Sequence, residues 1–81
     1  NFVVPDDQLS EETATLARRL ATGPTHVYGN TKALFYRSLE SEFESQLQAE
    51  AEYFADCASR RDFEEGVTAF IEKREAKFTG T

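Results

Sequence analysis

The stretch that decides the fold is DFEEGVTAFIEKREAKFTG, residues 62–80. Its apolar residues recur at the period of an α-helix, and Asp62 with Glu65 three positions later is an acidic variant of the capping box that begins helices. Gly66 lies inside this helix pattern, although glycine costs a helix about 1 kcal/mol relative to alanine. We interpret this glycine as a point where another helix approaches closely. The last residues are polar and are expected to fray, with Phe78 as the side chain that could dock.

Three more amphipathic helices are predicted before this stretch. Acidic residues at the start, leucines at helical spacing and a Gly-Pro end predict a first helix over residues 6–22. A weaker pattern predicts a second helix over residues 24–37. The third is expected to be capped by Ser38 and to reach Ser59. Its apolar stripe would consist of Leu39, Phe43, Leu47, Ala51, Phe54 and Ala58. The sequence therefore predicts an all-α architecture of about four amphipathic helices.

The N-terminal residues differ from the rest of the chain. Residues 1–5, NFVVP, are β-branched and aromatic and end in proline, which predicts an extended segment ahead of a helical domain at 6–81. Asn1 is not an initiator methionine, and an extended segment is unstable without neighbours. We therefore expect this chain to be a piece of a longer protein.

Charge and composition exclude several classes of partner. The chain has 81 residues, enough for one small domain, and carries 15 acidic against 9 basic residues, a net charge of −6. This balance argues against nucleic acid and against an anionic membrane surface, and no apolar run is long enough to span a bilayer. Cys57, the single cysteine, cannot form an internal disulfide and fits a reducing cytosol. The sequence therefore predicts a cytoplasmic protein.

The sequence carries few of the residue patterns that catalytic sites require. His26 is the single histidine, and with no cysteine or aspartate close to it in sequence we interpret it as a surface or capping residue. We find no metal-ligand spacing, no glycine-rich phosphate loop and no serine elbow. The sequence therefore predicts no catalytic residue and no metal site.

One combination of residues suggests a ligand. Phe70 and Lys73 are three positions apart on the predicted fourth helix and would share a surface patch. Phe54 would approach Phe70 if the third and fourth helices form a hairpin. Two phenyl rings beside an ammonium group suit an adenine nucleotide. The alternative, which the residues leave open, is that both rings belong to the apolar core and Lys73 is an exposed cation at a helix end.

The string EEGVTAFIEKREAKFTG resembles the C-terminal end of the enoyl-CoA hydratase/isomerase (crotonase) family. Members commonly read Glu-Gly, a small residue, Ala-Phe, Glu-Lys-Arg, then Phe and Gly. VVPDDQLSEETATLARRLATGP and NTKALFYRSLESEFESQLQAE are similar to two earlier segments of the same region. The resemblance covers nearly the whole chain, and the order and spacing of these strings are more specific than any single motif.

The resemblance implies a helical part of an enzyme and not a complete one. In the family, an upstream ββα core carries the catalytic carboxylates and the oxyanion hole, whereas the C-terminal helices cover that core, build a trimer or dimer of trimers, and contact coenzyme A. By alignment the CoA contacts fall on Phe54, Phe70 and Lys73, with the rings near adenine and the lysine near phosphate. Coenzyme A would be part of an acyl-CoA thioester substrate, with no covalently bound cofactor.

Two other functions remain open at this point. The chain could be a stand-alone helical module that binds acyl-CoA or a protein partner, or a structural oligomerisation domain without a ligand. As an isolated piece of a crotonase-like enzyme it should expose apolar faces and self-associate. Hydratase, isomerase, dehalogenase and decarboxylase chemistry differ in core residues, so these helices do not distinguish them.

Overall fold

The computed structural model describes residues 2–81, and every secondary-structure element among them is a helix. After a 3-10 turn at Asp6–Gln8, four α-helices follow, and no strand occurs within 2–81. Their bounds are α1 Leu9–Ala21, α2 Thr25–Ser38, α3 Phe43–Ala58 and α4 Arg61–Glu72. The predicted all-α architecture of four helices is confirmed. Residues 2–5 form neither helix nor strand, Asn1 lies outside the described residues, and the division into an extended segment and a helical domain stays a prediction.

The start of α3 lies later than the sequence suggested. The Ser38 hydroxyl donates to the Phe35 carbonyl at 2.7 Å, so it completes the last turn of α2 and does not cap the next helix. Glu42, with an extended backbone, is the N-cap residue of α3. Leu39 therefore lies in the connection and not in the stripe of α3, which corrects the predicted boundary.

The end of α4 is a second correction, because Lys73, which the sequence places on the predicted fourth helix, lies just beyond its last residue, Glu72. Lys73 adopts the left-handed conformation, with φ 54° and ψ 43°. Its N–H donates to the Phe70 carbonyl at 3.3 Å, and the N–H of Arg74 donates to the Ala69 carbonyl at 3.0 Å. These two bonds form a Schellman motif, which satisfies the last carbonyls of a helix and ends it.

Residues 74–81, here called the C-terminal segment, fold back along α4. The buried Asp62 carboxylate, 4% exposed, accepts the N–H groups of Thr79 and Gly80 at 2.8 Å each. The Asp62 N–H in turn donates to the Thr81 carbonyl at 2.9 Å. Arg60, and not Asp62, is the N-cap residue of α4, and no side-chain capping bond is made there. The predicted capping box and the predicted fraying of the C-terminus are therefore both wrong.

A second carboxylate holds the middle of the C-terminal segment. Glu65 accepts two hydrogen bonds from the Arg74 guanidinium, at 2.7 and 3.0 Å, and one from the Lys77 N–H at 2.7 Å. These bonds, the Arg74 pair above all, lower the pKa of Glu65 from 4.5 to about 2. The Phe78 ring lies over Gly66, where an added Cβ would be 3.5 Å from Phe78 Cε1. The close approach predicted at Gly66 is thus made by a ring of the C-terminal segment and not by another helix.

The helices form an open arrangement with little interior. Helix α2 packs on α3 and α3 on α4, but the buried apolar residues within 2–81 are two alanines, Ala49 and Ala69. The radius of gyration is 16.2 Å, against about 12 Å for a compact domain of this length. The accessible surface is 6928 Å², about 2,000 Å² more than the roughly 4,900 Å² expected for a compact protein of this mass. Most of the large apolar side chains among the described residues are exposed.

Candidate functional site

The three residues predicted to contact a nucleotide lie near the ends of two helices. Phe54 is in the last turns of α3, Phe70 in the last turn of α4, and Lys73 at the end of α4. The two phenyl side chains are 66% and 86% exposed. Neither ring is buried among the described residues, and Lys73 is an exposed cation at the end of α4. The nucleotide contacts stay a prediction.

Phe54 pairs with a different ring from the one expected. Its ring meets Phe63 edge to face, with centroids 6.3 Å apart and planes at 87°. The short link at residues 59–60 places the start of α4, and not its end, beside the end of α3. Phe70 is seven residues beyond Phe63, about 10 Å farther along the same helix. The structure therefore brings Phe54 to Phe63, and the predicted pairing with Phe70 is corrected.

An apolar groove opens beside the Phe54–Phe63 pair. It has a volume of about 460 Å³ and is lined from α2, α3 and the start of α4, chiefly by Val27, Leu34, Tyr53, Phe54 and Phe63. Volumes of this order are typical of small-molecule sites. Aromatic walls offer stacking and apolar contact, which means binding rather than bond cleavage. Phe70 and Lys73 lie outside this groove.

Lys73 occupies a strained backbone position. The left-handed conformation costs a residue with a side chain about 1–2 kcal/mol, and glycine is the usual occupant at this point of a Schellman motif. Among the described residues Lys73 is the one non-glycine residue with positive φ. A side chain retained at such a position is a reason to look for a role of the ammonium group.

Polar side chains of α2 and α3 form a cluster that sequence reasoning missed. His26 Nε2 and Asp56 Oδ2 are 2.5 Å apart, and the Asn30 amide donates to Asp56 Oδ2 at 2.9 Å and to Cys57 Sγ at 3.3 Å. Arg60 donates to the other oxygen of Asp56 at 2.7 Å. The bonds from His26, Arg60 and Asn30 hold the pKa of Asp56 well below its usual range.

This cluster corrects the interpretation of His26 as an isolated surface or capping residue. The histidine is partly buried and bonded to an aspartate thirty positions away in the sequence. One signal was available, since His26 and Asn30 are four residues apart on one helix face. Asp56 and Cys57 reach His26 and Asn30 through the register in which α2 packs on α3. That register is not visible in the sequence.

The comparison with known families settles which group of proteins these helices come from. The family model described as enoyl-CoA hydratase/isomerase matches residues 1–81. The chain belongs to this family. Among curated relatives, 1,2-epoxyphenylacetyl-CoA isomerase of Escherichia coli K12 is 37% identical over 78 residues, which cover 96% of this chain and 30% of the relative. Human enoyl-CoA hydratase domain-containing protein 3, mitochondrial, is 36% identical over 72 residues, which cover 89% of this chain and 24% of that protein.

A solved structure gives the same placement for the helices of this enoyl-CoA hydratase/isomerase-family chain. The crystal structure of an enoyl-CoA hydratase from Geobacillus kaustophilus HTA426 superposes with a TM-score of 0.88 and 29% identity. The superposition covers 98% of this chain and 30% of the hydratase. The chain thus spans roughly a third or less of the length of the relatives it matches, and its helices correspond to the C-terminal helical segment of the crotonase fold.

Proposed function

We propose that this chain is the C-terminal helical part of an enzyme acting on acyl-CoA thioesters, and that it supplies binding surface and not bond-making groups. The match to the enoyl-CoA hydratase/isomerase family over residues 1–81, together with the 30% coverage of relatives, supports this proposal. In such an enzyme water adds across an enoyl thioester or a proton shifts along it. An oxyanion hole in the remaining part of the protein would stabilise the enolate.

The observation that carries the proposal is the amount of surface left uncovered, with most of the large apolar side chains exposed on it. The excess of about 2,000 Å² over a compact protein is more than twice the roughly 800 Å² that one partner contributes to a standard interface. The most exposed large apolar side chains of the helices and their links, apart from Phe70, are Leu39, Phe43, Phe35 and Ile71. We infer that these faces cover the rest of the subunit and a neighbouring subunit, in a trimer or a dimer of trimers.

The proposed coenzyme A contacts remain Phe54, Phe70 and Lys73. Two observations support the pair at the end of α4, namely the highly exposed Phe70 ring and the strained backbone at which Lys73 is retained. The rings would lie against adenine and the ammonium against phosphate. Phe54 would contribute from the groove, apart from Phe70. Coenzyme A enters as part of the substrate, so no resident cofactor is proposed.

The experiment that tests these contacts uses two substrates with the complete enzyme. Lys73→Ala should raise KM for the acyl-CoA thioester about tenfold and leave kcat nearly unchanged, because uniform binding is lost. The same variant should leave KM unchanged for an acyl-pantetheine thioester, which lacks the nucleotide. Lys77→Ala, an exposed lysine four residues on, is the matched control. An unchanged KM with the CoA thioester would remove Lys73 from the site.

A second function is favoured by one feature, the groove of about 460 Å³ beside Phe54. A stand-alone helical module that binds acyl-CoA or a protein partner would use this groove without any other domain. Calorimetric titration of the 81-residue chain with coenzyme A distinguishes the two. Tight binding favours the stand-alone module, whereas weak or undetectable binding favours the enzyme part, in which the pocket is completed by other residues.

The proposed cellular location rests on the free thiol of Cys57. None of the described helices has the length and apolar character needed to cross a membrane. We propose a cytoplasmic protein, because the single cysteine is unpaired, as is usual in a reducing compartment. The human relative is mitochondrial by name, which makes fractionation of cells expressing the whole protein the appropriate test.

A further inference from the structure

Three metal-type ligand atoms of different chemistry converge between α2 and α3. They are His26 Nε2, Asp56 Oδ2 and Cys57 Sγ, and all lie within 4.8 Å of one another. The residues are partly buried, so the helices fix them while solvent can still reach them. Cys57 also lines the apolar groove. None of the three has a part in the proposed binding of an acyl-CoA thioester.

The centre of this cluster is occupied by a group of positive polarity. The Asn30 amide nitrogen is 2.9 Å from Asp56 Oδ2, 3.3 Å from Cys57 Sγ and 3.3 Å from His26 Nε2. An amide nitrogen carries two hydrogens, which here face Asp56 Oδ2 and Cys57 Sγ, while His26 Nε2 points its own hydrogen at the same Asp56 oxygen. The carboxylate oxygen and the sulfur thus face a point that favours positive charge, and a cation could take that point if the amide moved aside.

The types of the donor atoms select the ion. Imidazole nitrogen, carboxylate oxygen and thiolate sulfur are the ligands of Zn²⁺, with bonds of about 2.0–2.3 Å. Ligand atoms on a tetrahedron of that size are about 3.5 Å apart, so small side-chain adjustments would suffice. Magnesium and calcium require shells made of oxygen atoms, and this set offers only one carboxylate. The mixture of nitrogen, oxygen and sulfur therefore favours zinc.

We propose that His26, Asp56 and Cys57 form a zinc-binding site between α2 and α3. On binding, the hydrogen that His26 Nε2 shares with Asp56 moves by way of solvent to Nδ1, which frees the Nε2 lone pair for the ion. The Cys57 S–H bond breaks, its proton passes to solvent, and the thiolate forms a bond to the ion. The thiolate and the Asp56 carboxylate together balance its two positive charges. Arg60 stays on the other oxygen of Asp56 and orients the carboxylate, as outer-shell partners of metal ligands do. Water takes the fourth position.

The first test is a zinc titration of the protein as its gene encodes it, by competition with a chelator of known affinity. We expect His26→Ala and Cys57→Ser each to weaken zinc binding more than about tenfold. Glu44→Gln removes an exposed carboxylate from the first turn of α3, the helix that carries Asp56 and Cys57, and should leave the zinc affinity unchanged. Asn30→Ala removes the competing amide and should bind zinc at least as well as the wild type. Equal affinity in all variants would overturn the proposal.

The second test needs no variant and so does not depend on whether the variants fold. Zn²⁺ alone should slow alkylation of Cys57 by iodoacetamide about tenfold, as measured by mass spectrometry of the peptide that contains it, because a metal-bound thiolate is a weaker nucleophile. Co²⁺ alone should produce a thiolate-to-metal charge-transfer absorption. An alkylation rate unchanged by zinc, or a cobalt complex without that absorption, would overturn the proposal.

Discussion

The substitution Asp62→Asn tests how the C-terminal segment is held. In the structure the carboxylate accepts one backbone N–H at each oxygen, from Thr79 and Gly80, while 96% of the Asp62 surface is covered. Asparagine keeps the shape but has one oxygen, and it turns an NH₂ group towards the second backbone donor. One buried N–H is therefore left facing another donor.

The magnitude follows from the bonds lost. A hydrogen bond to a buried charged group contributes about 2 kcal/mol, and a neutral one about 1 kcal/mol. Replacing two bonds to a carboxylate by one bond to an amide should destabilise the docked C-terminal segment by about 3 kcal/mol. Since about 1.4 kcal/mol corresponds to a factor of ten, the equilibrium between docked and open states should shift about 100-fold.

Native-state hydrogen exchange measures this shift directly. In Asp62→Asn, the amides of Thr79 and Gly80 should exchange about 100-fold faster than in the wild type, under conditions where local opening limits exchange. The matched control is Glu64→Gln, which alters an exposed carboxylate of the same first turn. If the two variants protect these amides equally well, the assigned role of Asp62 is wrong.

Three further predictions concern the end of α4 and the C-terminal segment. Glu65 has a lowered pKa, so the stability that it contributes is present above pH 4.5 and is lost as the pH falls through about 2. Protection of the Lys77 amide against hydrogen exchange should therefore decrease between these two pH values, and Glu65→Gln should abolish this pH dependence. Gly66→Ala should raise the free energy of unfolding by about 1 kcal/mol through helix propensity, whereas Gly66→Leu should displace Phe78 and lower it by about 2 kcal/mol, so chemical denaturation giving the same sign for both would contradict the packing. Lys73→Gly should raise the free energy of unfolding by about 1 kcal/mol, because it relieves the left-handed strain, and should also raise KM for the acyl-CoA thioester. A gain in stability with an unchanged KM would show that the lysine is not needed for binding.

The existence and type of the helices could be predicted, because they follow from local periodicity. The apolar residues of α1 and α4 recur at helical spacing, and this signal lies within one segment of sequence. The end of α4 could not be predicted in the same way. A lysine in the left-handed conformation ends the helix where the apolar pattern alone continues, and glycine would have been the usual marker.

Contacts between helices, and between α4 and the C-terminal segment, could not be predicted from the sequence. Asp62 matches an N-terminal acid of a helix, but its carboxylate is used by backbone groups seventeen and eighteen residues later. His26 meets Asp56 because α2 packs on α3 in one register among several that the stripes allow. The spacing predicted that Phe70 and Lys73 share a surface patch, and their role stays a prediction. The pairing of Phe54 with Phe63 depends on the angle between α3 and α4, which the sequence does not show.

Sedimentation equilibrium of the 81-residue chain tests most directly whether these helices are made to be covered by other protein surface. We predict that the apparent mass rises above that of one chain as the concentration increases, because the uncovered apolar faces associate. A single-chain mass up to millimolar concentration, together with a radius of gyration near the roughly 12 Å of a compact domain in X-ray scattering, would contradict the account.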